Sequence, residues 1–325
     1  MSSTEDAMHA AVLHQFGTPP RFEPFPDPVP IDGEALVHVR AASLKPIDKQ
    51  LASGTHFATA PVLPRVCGVD GVGVLDDGTR VFFGGARAPY GAMAERAVAP
   101  RRFCFPVPGE LDDATAAALP NPGVSAWLTL AWRARLAAGE TVLVLGATGT
   151  TGRLAVQIAK ILGAGPIVAA GRNPSVLARL RADATIRLDQ PRDELIAAFK
   201  RHGRYDVIVD YVWNGPTEAL LAALTRHEFA AGGPEIRLIQ VGESAGPQIA
   251  LAAAVLRSVP LTICGTAGMP PPDVLGDAFD RVMGHAVRGD LQIEIERVPL
   301  AGVEDAWQRD AGGRRIVFEP CGPAC

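Results

Sequence analysis

The sequence predicts an α/β protein of two domains, a mostly β domain followed by a doubly wound parallel sheet, and three observations carry that prediction. The chain has 325 residues, more than the roughly 100 to 200 of a single domain. Short strand-like stretches broken by Gly, Pro and Asp fill it up to about residue 110. From Thr141 on, apolar strand candidates alternate with helical segments, the order that βαβ units around a parallel sheet produce.

Each element follows from local patterning. Six prolines between Pro19 and Pro30 forbid a helix and force an extended segment that can only border a sheet. Glu34-Ala-Leu-Val-His-Val-Arg40 then alternates as a half-buried strand does. Further strands are expected at Gly71 to Val74, Thr79 to Phe83 and Ala92 to Val98. Near Leu111 the character changes: Asp112-Asp113-Ala-Thr-Ala-Ala-Ala118 reads as a capped helix, and a second helix is expected from about Gly123 to Leu136. Strand candidates follow at Thr141 to Leu145, Ile167 to Ala170, Thr185 to Leu188, Asp206 to Asp210, Ile236 to Val241 and Leu261 to Cys264. Helices such as Thr151 to Leu162 and Pro216 to Leu224 separate them. After Pro270 come a helix (Asp273 to Val287), a strand (Ile293 to Val298), a short helix and a last strand near Arg315 to Phe318. This tail is expected to return to the first domain, giving the division 1–122, 123–268 and 269–325.

Composition narrows the function. Hydrophobic residues make up 48% and charged residues 20%, enough for a sizeable core and unlike a disordered chain. With 31 Lys and Arg against 35 Asp and Glu, the formal charge of -4 argues against a broad nucleic-acid footprint and for a small partner. The longest apolar run, Ile249 to Leu256, falls far short of the roughly 18 residues that cross a bilayer, so no membrane association is expected. Met1 to Ala7 has neither the basic start nor the apolar run of a secretory signal, and a cytoplasmic enzyme is expected. Cys67, Cys104, Cys264, Cys321 and Cys325 are widely spread without a Cys-x-x-Cys pair; they read as buried or merely exposed thiols, not as a disulfide framework or a zinc ribbon.

The most informative segment is Val142-Leu-Val-Leu-Gly-Ala-Thr-Gly-Thr-Thr-Gly152, an apolar strand that ends in a glycine loop and opens a helix. That setting is what a dinucleotide fingerprint requires. Gly146 would permit the tight turn, Gly149 would let backbone approach a pyrophosphate, and Gly152 would let helix pack on strand. Free N–H groups at the helix start would bind the anion, with Thr148, Thr150 and Thr151 adding hydroxyl donors. The next strand ends Val168-Ala-Ala-Gly171-Arg172-Asn173, with no acid between Pro166 and Ser175. An acid there would accept from the ribose hydroxyls of NAD, whereas Arg172 suits an adenosine 2′-phosphate, so NADP(H) is the expected cofactor.

Several further motifs span nearly the whole chain: Met8-His-Ala-Ala-Val-Leu-His-Gln-Phe-Gly17, Ala41-Ala-Ser-Leu-Lys-Pro-Ile-Asp48, Cys67-Gly-Val-Asp-Gly-Val-Gly73 and Tyr90-Gly-Ala-Met-Ala-Glu95. Ala116-Ala-Ala-Leu-Pro-Asn-Pro-Gly-Val-Ser-Ala-Trp127 and Pro299-Leu-Ala-Gly-Val-Glu-Asp-Ala-Trp307 extend the set. Together with the glycine loop they resemble the zinc-independent quinone oxidoreductase branch of the medium-chain dehydrogenase/reductase superfamily. The resemblance implies a GroES-like catalytic domain, a Rossmann domain and an active cleft between them, with NADPH-dependent reduction of quinones, enones or alkenals, the substrate being a small apolar carbonyl compound or quinone. It places Ser125 near the nicotinamide, Gly149 to Gly152 at the pyrophosphate, Gly171 and Arg172 at the 2′-phosphate, and Val241 and Gly242 at the end of a nicotinamide-side strand. It also places the apolar strand Val259 to Cys264 at a sheet edge, from which a homodimer is expected. Lys45 and His56 stand where many members carry Asn and Tyr.

Zinc alcohol dehydrogenases of the same superfamily need a Cys near the Lys45 segment and a Gly-His-Glu further on. This chain has Ser43-Leu-Lys-Pro-Ile-Asp48 and Gly68-Val-Asp70, so no metal is expected. Candidates for the catalytic proton are His56, Lys45 and Tyr90. Asp48 reads as a helix cap, and Trp213 as an aromatic wall or a core residue. Two alternatives stand beside this reading. The loop Gly146-Ala-Thr-Gly-Thr-Thr-Gly-Arg153 also resembles that of atypical short-chain reductases, some of which sense dinucleotides without turnover. A non-redox enzyme on the same fold is the other.

Overall fold

The computed structural model describes residues 7–56, 58–225, 233–266, 268 and 270–320; Cys321 and Cys325 lie outside these residues. The chain divides into two units, Met1–Asn121 with Met283–Cys325, and Pro122–Val282.

In the first unit, β1 (Ala7–Leu13) pairs antiparallel with β2 (Arg21–Pro26). The proline-bearing segment is thus an edge strand, where missing N–H groups cost least. β3 (Glu34–Ser43) turns Ala35, Val37 and Val39 inward and His38 and Arg40 outward, the period of two that its sequence shows. α1 (Pro46–Ser53) follows with proline in its first turn, where a missing N–H leaves nothing unsatisfied. β4 (Arg65–Val66) joins the other side of β1. Then come β5 (Asp70–Leu75), β6 (Arg80–Gly84), β7 (Arg96–Pro100) and β8 (Cys104–Pro106). β5 and β7 pair with β3, β6 with β5, and β8 with β6. Residues 92–95, expected as strand, instead join the two sheets. Met93 O accepts from Ala11 N–H at 2.8 Å and Glu95 O from Val39 N–H at 2.9 Å, so these groups serve two partners and build no ladder of their own.

α2 (Asp113–Ala118) is capped by Asp112, which accepts from the Thr115 N–H at 3.0 Å. α3 (Pro120–Trp127) leads into the second unit and continues over residues 128–133 with π-helical pitch. There Ala134 N–H reaches Thr129 O at 2.9 Å, and Thr129 Oγ1 donates to Ser125 O at 2.7 Å. A hydroxyl competing for the carbonyl four residues back disturbs the regular ladder, and the helix expected to run to Leu136 changes pitch.

The second unit alternates strand and helix: β9 (Val142–Leu145), α4 (Thr150–Ile161), β10 (Ile167–Gly171), α5 (Pro174–Leu177), β11 (Ala184–Arg187), α6 (Arg192–Arg201), β12 (Val207–Asp210), α7 (Asn214–Leu224), β13 (Ile236–Gln240), α8 (Ala253–Ser258) and β14 (Leu261–Gly265). All six strands are parallel, in the order β11-β10-β9-β12-β13-β14. Counted from β9, that is the 3-2-1-4-5-6 order of a Rossmann sheet, whose direction of winding reverses between β9 and β12. Leu143, Leu145 and Ile208 on one face of the sheet pack with Leu195, Phe199 and Leu220 from α6 and α7.

α9 (Pro272–Val287) leads back to the first unit, followed by β15 (Ile295–Pro299), α10 (Val303–Gln308) and β16 (Arg315–Glu319). β16 lies parallel to β15 and antiparallel to β3. Through it, Val303, Trp307 and Phe318 share a core with Val37, Val39 and Phe83. Among the described residues no helix is long and apolar enough to cross a membrane.

Candidate functional site

The glycine loop sits at the reversal point of the parallel sheet, where doubly wound proteins bind ligands. β9 is wholly buried, and Gly146 turns the chain after it at a φ of 86°, a left-handed conformation that favours glycine. A β-carbon at position 152 would lie 2.2 Å from Gly146 O, so α4 can start against the turn only with glycine there. At Gly149 the nearest atom to such a carbon is Gly146 O at 3.4 Å, leaving that side of the loop open. Gly149 is also the N-cap of α4, without a side-chain cap. Arg153 N–H is the first to bond back, to Gly149 O at 2.9 Å. The N–H groups of Thr150, Thr151 and Gly152 therefore have no partner in their own helix, and together with the positive end of the helix dipole they suit an anion. These donors fit the pyrophosphate of a dinucleotide.

At the end of β10, a β-carbon on Gly171 would come within 2.4 Å of Thr148 Cγ2; glycine lets the loop fold down over the strand. Arg172 follows, exposed and without a hydrogen bond or ion pair among the described residues. Asn173 is used otherwise, capping α5 by accepting from Val176 N–H at 3.1 Å. Across the sheet Gly171 is in register with Arg187, which holds Asp189 through both carboxylate oxygens. The Arg187 guanidinium keeps the Asp189 carboxyl below the usual carboxylate range, and the charge of Arg172 adds to the effect.

The ends of β12 and β13 complete this part of the site. Asp210, fully buried, accepts from the N–H groups of Val212 at 2.8 Å and Trp213 at 2.9 Å, and from Thr217 Oγ1 at 2.6 Å. Burial pushes its carboxyl up, against the pull of these bonds. Its carbonyl takes the N–H groups of Val241 and Gly242 at 2.8 and 3.1 Å, fixing where the segment after β13 begins. The clamp also holds Trp213 and Asn214 at φ values of 59° and 55°, unusual for residues with side chains. Trp213 is half-buried and packs on the core beneath α7. Ser125 lies in α3, half-buried, with its carbonyl bound by Thr129. Asp210 and Tyr211, which shape the strand ends beside this candidate site, are residues that the sequence reading passed over. The signal was an acid closing an apolar strand three residues before a turn-forming Trp-Asn-Gly.

The three side chains singled out for catalysis lie in the first unit, each with its own partners. Lys45 is buried, and its Nζ donates to Ser43 O at 2.7 Å, Ser43 Oγ at 3.2 Å and Asp70 Oδ1 at 2.9 Å. The second oxygen of Asp70 accepts from Asn121 Nδ2 at 3.0 Å. Asp48 caps α1 by accepting from Lys45 N–H at 2.8 Å and also takes Val69 N–H at 2.9 Å. Burial pushes the Asp48 carboxyl up while the charge of Lys45 pulls it down. All three N–H donors of Lys45 are engaged, so as disposed here its ammonium braces the segments of Ser43 and Asp70. Tyr90 donates to Asp27 O at 3.3 Å, meets Phe25 edge-on at 6.0 Å and lies under Arg87. His56, half-buried beyond α1, accepts from Ala58 N–H at Nδ1 at 3.1 Å, which puts the neutral ring's proton on Nε2.

Ser43 and Asp70 belong to the segments that would carry ligands in a zinc enzyme of this fold, and the cation between them is the Lys45 ammonium. Burial pushes the nearby Cys67 thiol up to about 12, whereas a metal ligand must be a thiolate. This donor set does not fit a catalytic zinc.

No family model matches the chain. A quinone oxidoreductase of Pongo abelii is 33% identical over 176 residues, covering 50% of this chain and 53% of that protein. The chain thus matches about half the length of such relatives. A probable NADPH-dependent quinone reductase of Emericella nidulans is 26% identical over 362 residues, covering 96% of this chain and 100% of that protein. Among solved structures, the quinone oxidoreductase of Thermus thermophilus, also determined with NADPH, superposes with a TM-score of 0.76 and 26% identity, covering 96% of this chain and 100% of that one. These matches bear out the resemblance carried by the motifs. The chain is a relative of the quinone oxidoreductases and shares the fold of the medium-chain dehydrogenase/reductase superfamily, a GroES-like unit and a Rossmann unit.

Proposed function

We propose that the chain is an NADPH-dependent, zinc-independent reductase of quinones or of the carbon–carbon double bond of enones and alkenals. The observation that carries this reading is the glycine loop with uncapped helix N–H groups at the reversal point of the sheet, beside a strand that ends in Arg172 without an acid. The names of the relatives support it.

NADPH, when bound, supplies a hydride to an electrophilic carbon. Thr150, Thr151 and Gly152 hold the pyrophosphate through their N–H groups, Gly149 leaves room for it, and Arg172 takes the 2′-phosphate as a charge-assisted pair. Ser125, Val241 and Gly242 border the nicotinamide. A quinone or enone carries its own electron sink, so the residues must position it and deliver one proton to the atom that gains charge. Water or His56 delivers that proton in this reading, His56 as an imidazolium, since a neutral ring that gave up its Nε2 proton would be left an imidazolate; Lys45 and Tyr90 brace the first unit through their own partners. A simple alcohol has no such sink, and its oxidation would need a cation on the developing alkoxide, which the Ser43, Cys67 and Asp70 set does not provide.

Assembly as a homodimer through β14 belongs to the same reading. β14 is the last strand of the parallel sheet, and Leu256, in the helix just before it, is 49% exposed. An open edge of this kind invites pairing across a twofold axis. Light scattering at micromolar concentration should give twice the mass of the chain, and a monomer would remove this part of the proposal.

The function is tested by following NADPH oxidation with a panel of quinones, enones, alkenals and simple carbonyls, with and without a chelator, and identifying products by mass. We expect a gain of two hydrogens on a quinone or conjugated double bond, unaffected by chelator. Activity lost with chelator and restored by zinc, or dinucleotide binding without turnover of any of these classes, would contradict it.

A further inference from the structure

Tyr211, the residue directly after β12, is held more firmly than its surroundings require, yet its functional group is left over. Its N–H donates to Leu145 O at 3.1 Å, and its carbonyl accepts from Ser244 N–H at 3.3 Å and Ser244 Oγ at 3.0 Å. This fixes Tyr211 between the ends of β9 and β13. Its Cβ lies 3.1 Å from where a β-carbon on Gly146 would stand, and its carbonyl oxygen 3.0 Å from the same point on Gly242. It is therefore wedged between the turn of the glycine loop and the segment assigned to the nicotinamide side. Its hydroxyl is buried and has no hydrogen-bond partner among the described residues.

A buried hydroxyl without a partner is costly, and folded proteins satisfy nearly all of them. A phenylalanine would pack the same space without that cost. We propose that the Tyr211 hydroxyl donates a hydrogen bond to a phosphate or ribose oxygen of the bound dinucleotide, one that NADPH and NADH have in common. This rests on the cofactor reading above. Burial pushes the phenol up, so it remains a donor at any pH the protein meets. The role differs from that of Arg172: Arg172 separates the two cofactors, and Tyr211 strengthens both.

The test is Tyr211→Phe, which removes one oxygen and should fold as the parent does. NADPH and NADH affinities are read by fluorescence titration, and the melting temperature of the dinucleotide-free protein by calorimetry. We expect both cofactors to bind about fivefold to tenfold more weakly, in an unchanged ratio, while the melting temperature of the free protein stays the same or rises. Unchanged affinity would overturn the inference, because the hydroxyl would then serve water or nothing. A fall in affinity together with a fall in melting temperature would show a structural role. A change in the NADPH to NADH ratio would move the hydroxyl to the 2′-phosphate. Failure of the parent protein to bind either dinucleotide is a separate result, which removes the cofactor reading itself.

Discussion

Two regions of this molecule handle buried and charged groups in opposite ways. Around Lys45, in the first unit, the charged groups meet partners: the ammonium has three acceptors, Asp70 takes Lys45 and Asn121, and Asp48 takes two N–H groups. At the reversal point of the second unit, among the described residues, the start of α4 lacks a side-chain cap, Arg172 lacks an ion pair, and the Tyr211 hydroxyl lacks an acceptor. Satisfied groups hold a fold, because breaking them leaves a bare charge. Of the open groups, the buried Tyr211 hydroxyl lowers stability unless something completes it, whereas Arg172 is exposed and, like the N–H groups at the start of α4, suits an anion.

The largest effect should come from breaking the satisfied region. Lys45→Met leaves Asp70 buried without its cation and should cost about 3 to 5 kcal/mol in urea unfolding. Adding Asp70→Asn to the same chain should recover much of that loss, since the orphaned charge is gone. If Lys45→Met unfolded at the parent's midpoint, the network would not be the brace described here.

A smaller change is expected at the start of α2. Burial raises the Asp112 carboxyl, but the Thr115 bonds and the charge of Arg297 outweigh it and hold the group below the usual carboxylate range. A carboxyl lowered in the folded state stabilises above its unfolded value and loses that contribution as pH falls through the folded one. Asp112→Ala should therefore cost about 1 kcal/mol at neutral pH, and the gap from the parent should close as the pH drops below about 4. A gap that stayed constant with pH would assign the loss to packing alone.

The smallest effect belongs to the open region. Asp189 pairs with Arg187, which is in register with Gly171, and the charges of both Arg187 and Arg172 act on its carboxylate. Asp189→Asn should tighten NADPH binding by about twofold to threefold and leave NADH unchanged, an effect that fades with added salt. Weaker NADPH binding in this variant would mean that Asp189 positions the phosphate site instead of competing with it.

The sequence made the open region far more legible than the satisfied one. The spacing of Gly146, Gly149 and Gly152 after an apolar strand has few physical explanations, and the missing acid beside Arg172 can be read without coordinates. The parallel order of the second unit followed from alternation of strand and helix. Lys45 was read as a catalytic candidate because nothing local shows that Asp70, 25 residues on, closes over it. Tyr211 was invisible for the converse reason: a tyrosine ending an apolar strand looks like core, and only the absence of a partner distinguishes it. The short strand β8 and the helix α6 were also not anticipated. Phe105, between Cys104 and Pro106, is too short a signal, and α6 is helical largely through the face that Leu195, Ala198 and Phe199 bury, a tertiary cause.

The central claim is that the open groups at the end of the parallel sheet are completed by NADPH. It is tested most directly by titrating the parent protein and Arg172→Glu with NADPH and NADH. The account predicts tighter binding of NADPH than of NADH by the parent, and a selective loss of NADPH affinity in the variant equivalent to about 1.5 to 3 kcal/mol. Equal affinity for both cofactors in the parent, or an equal loss of both in the variant, would contradict it.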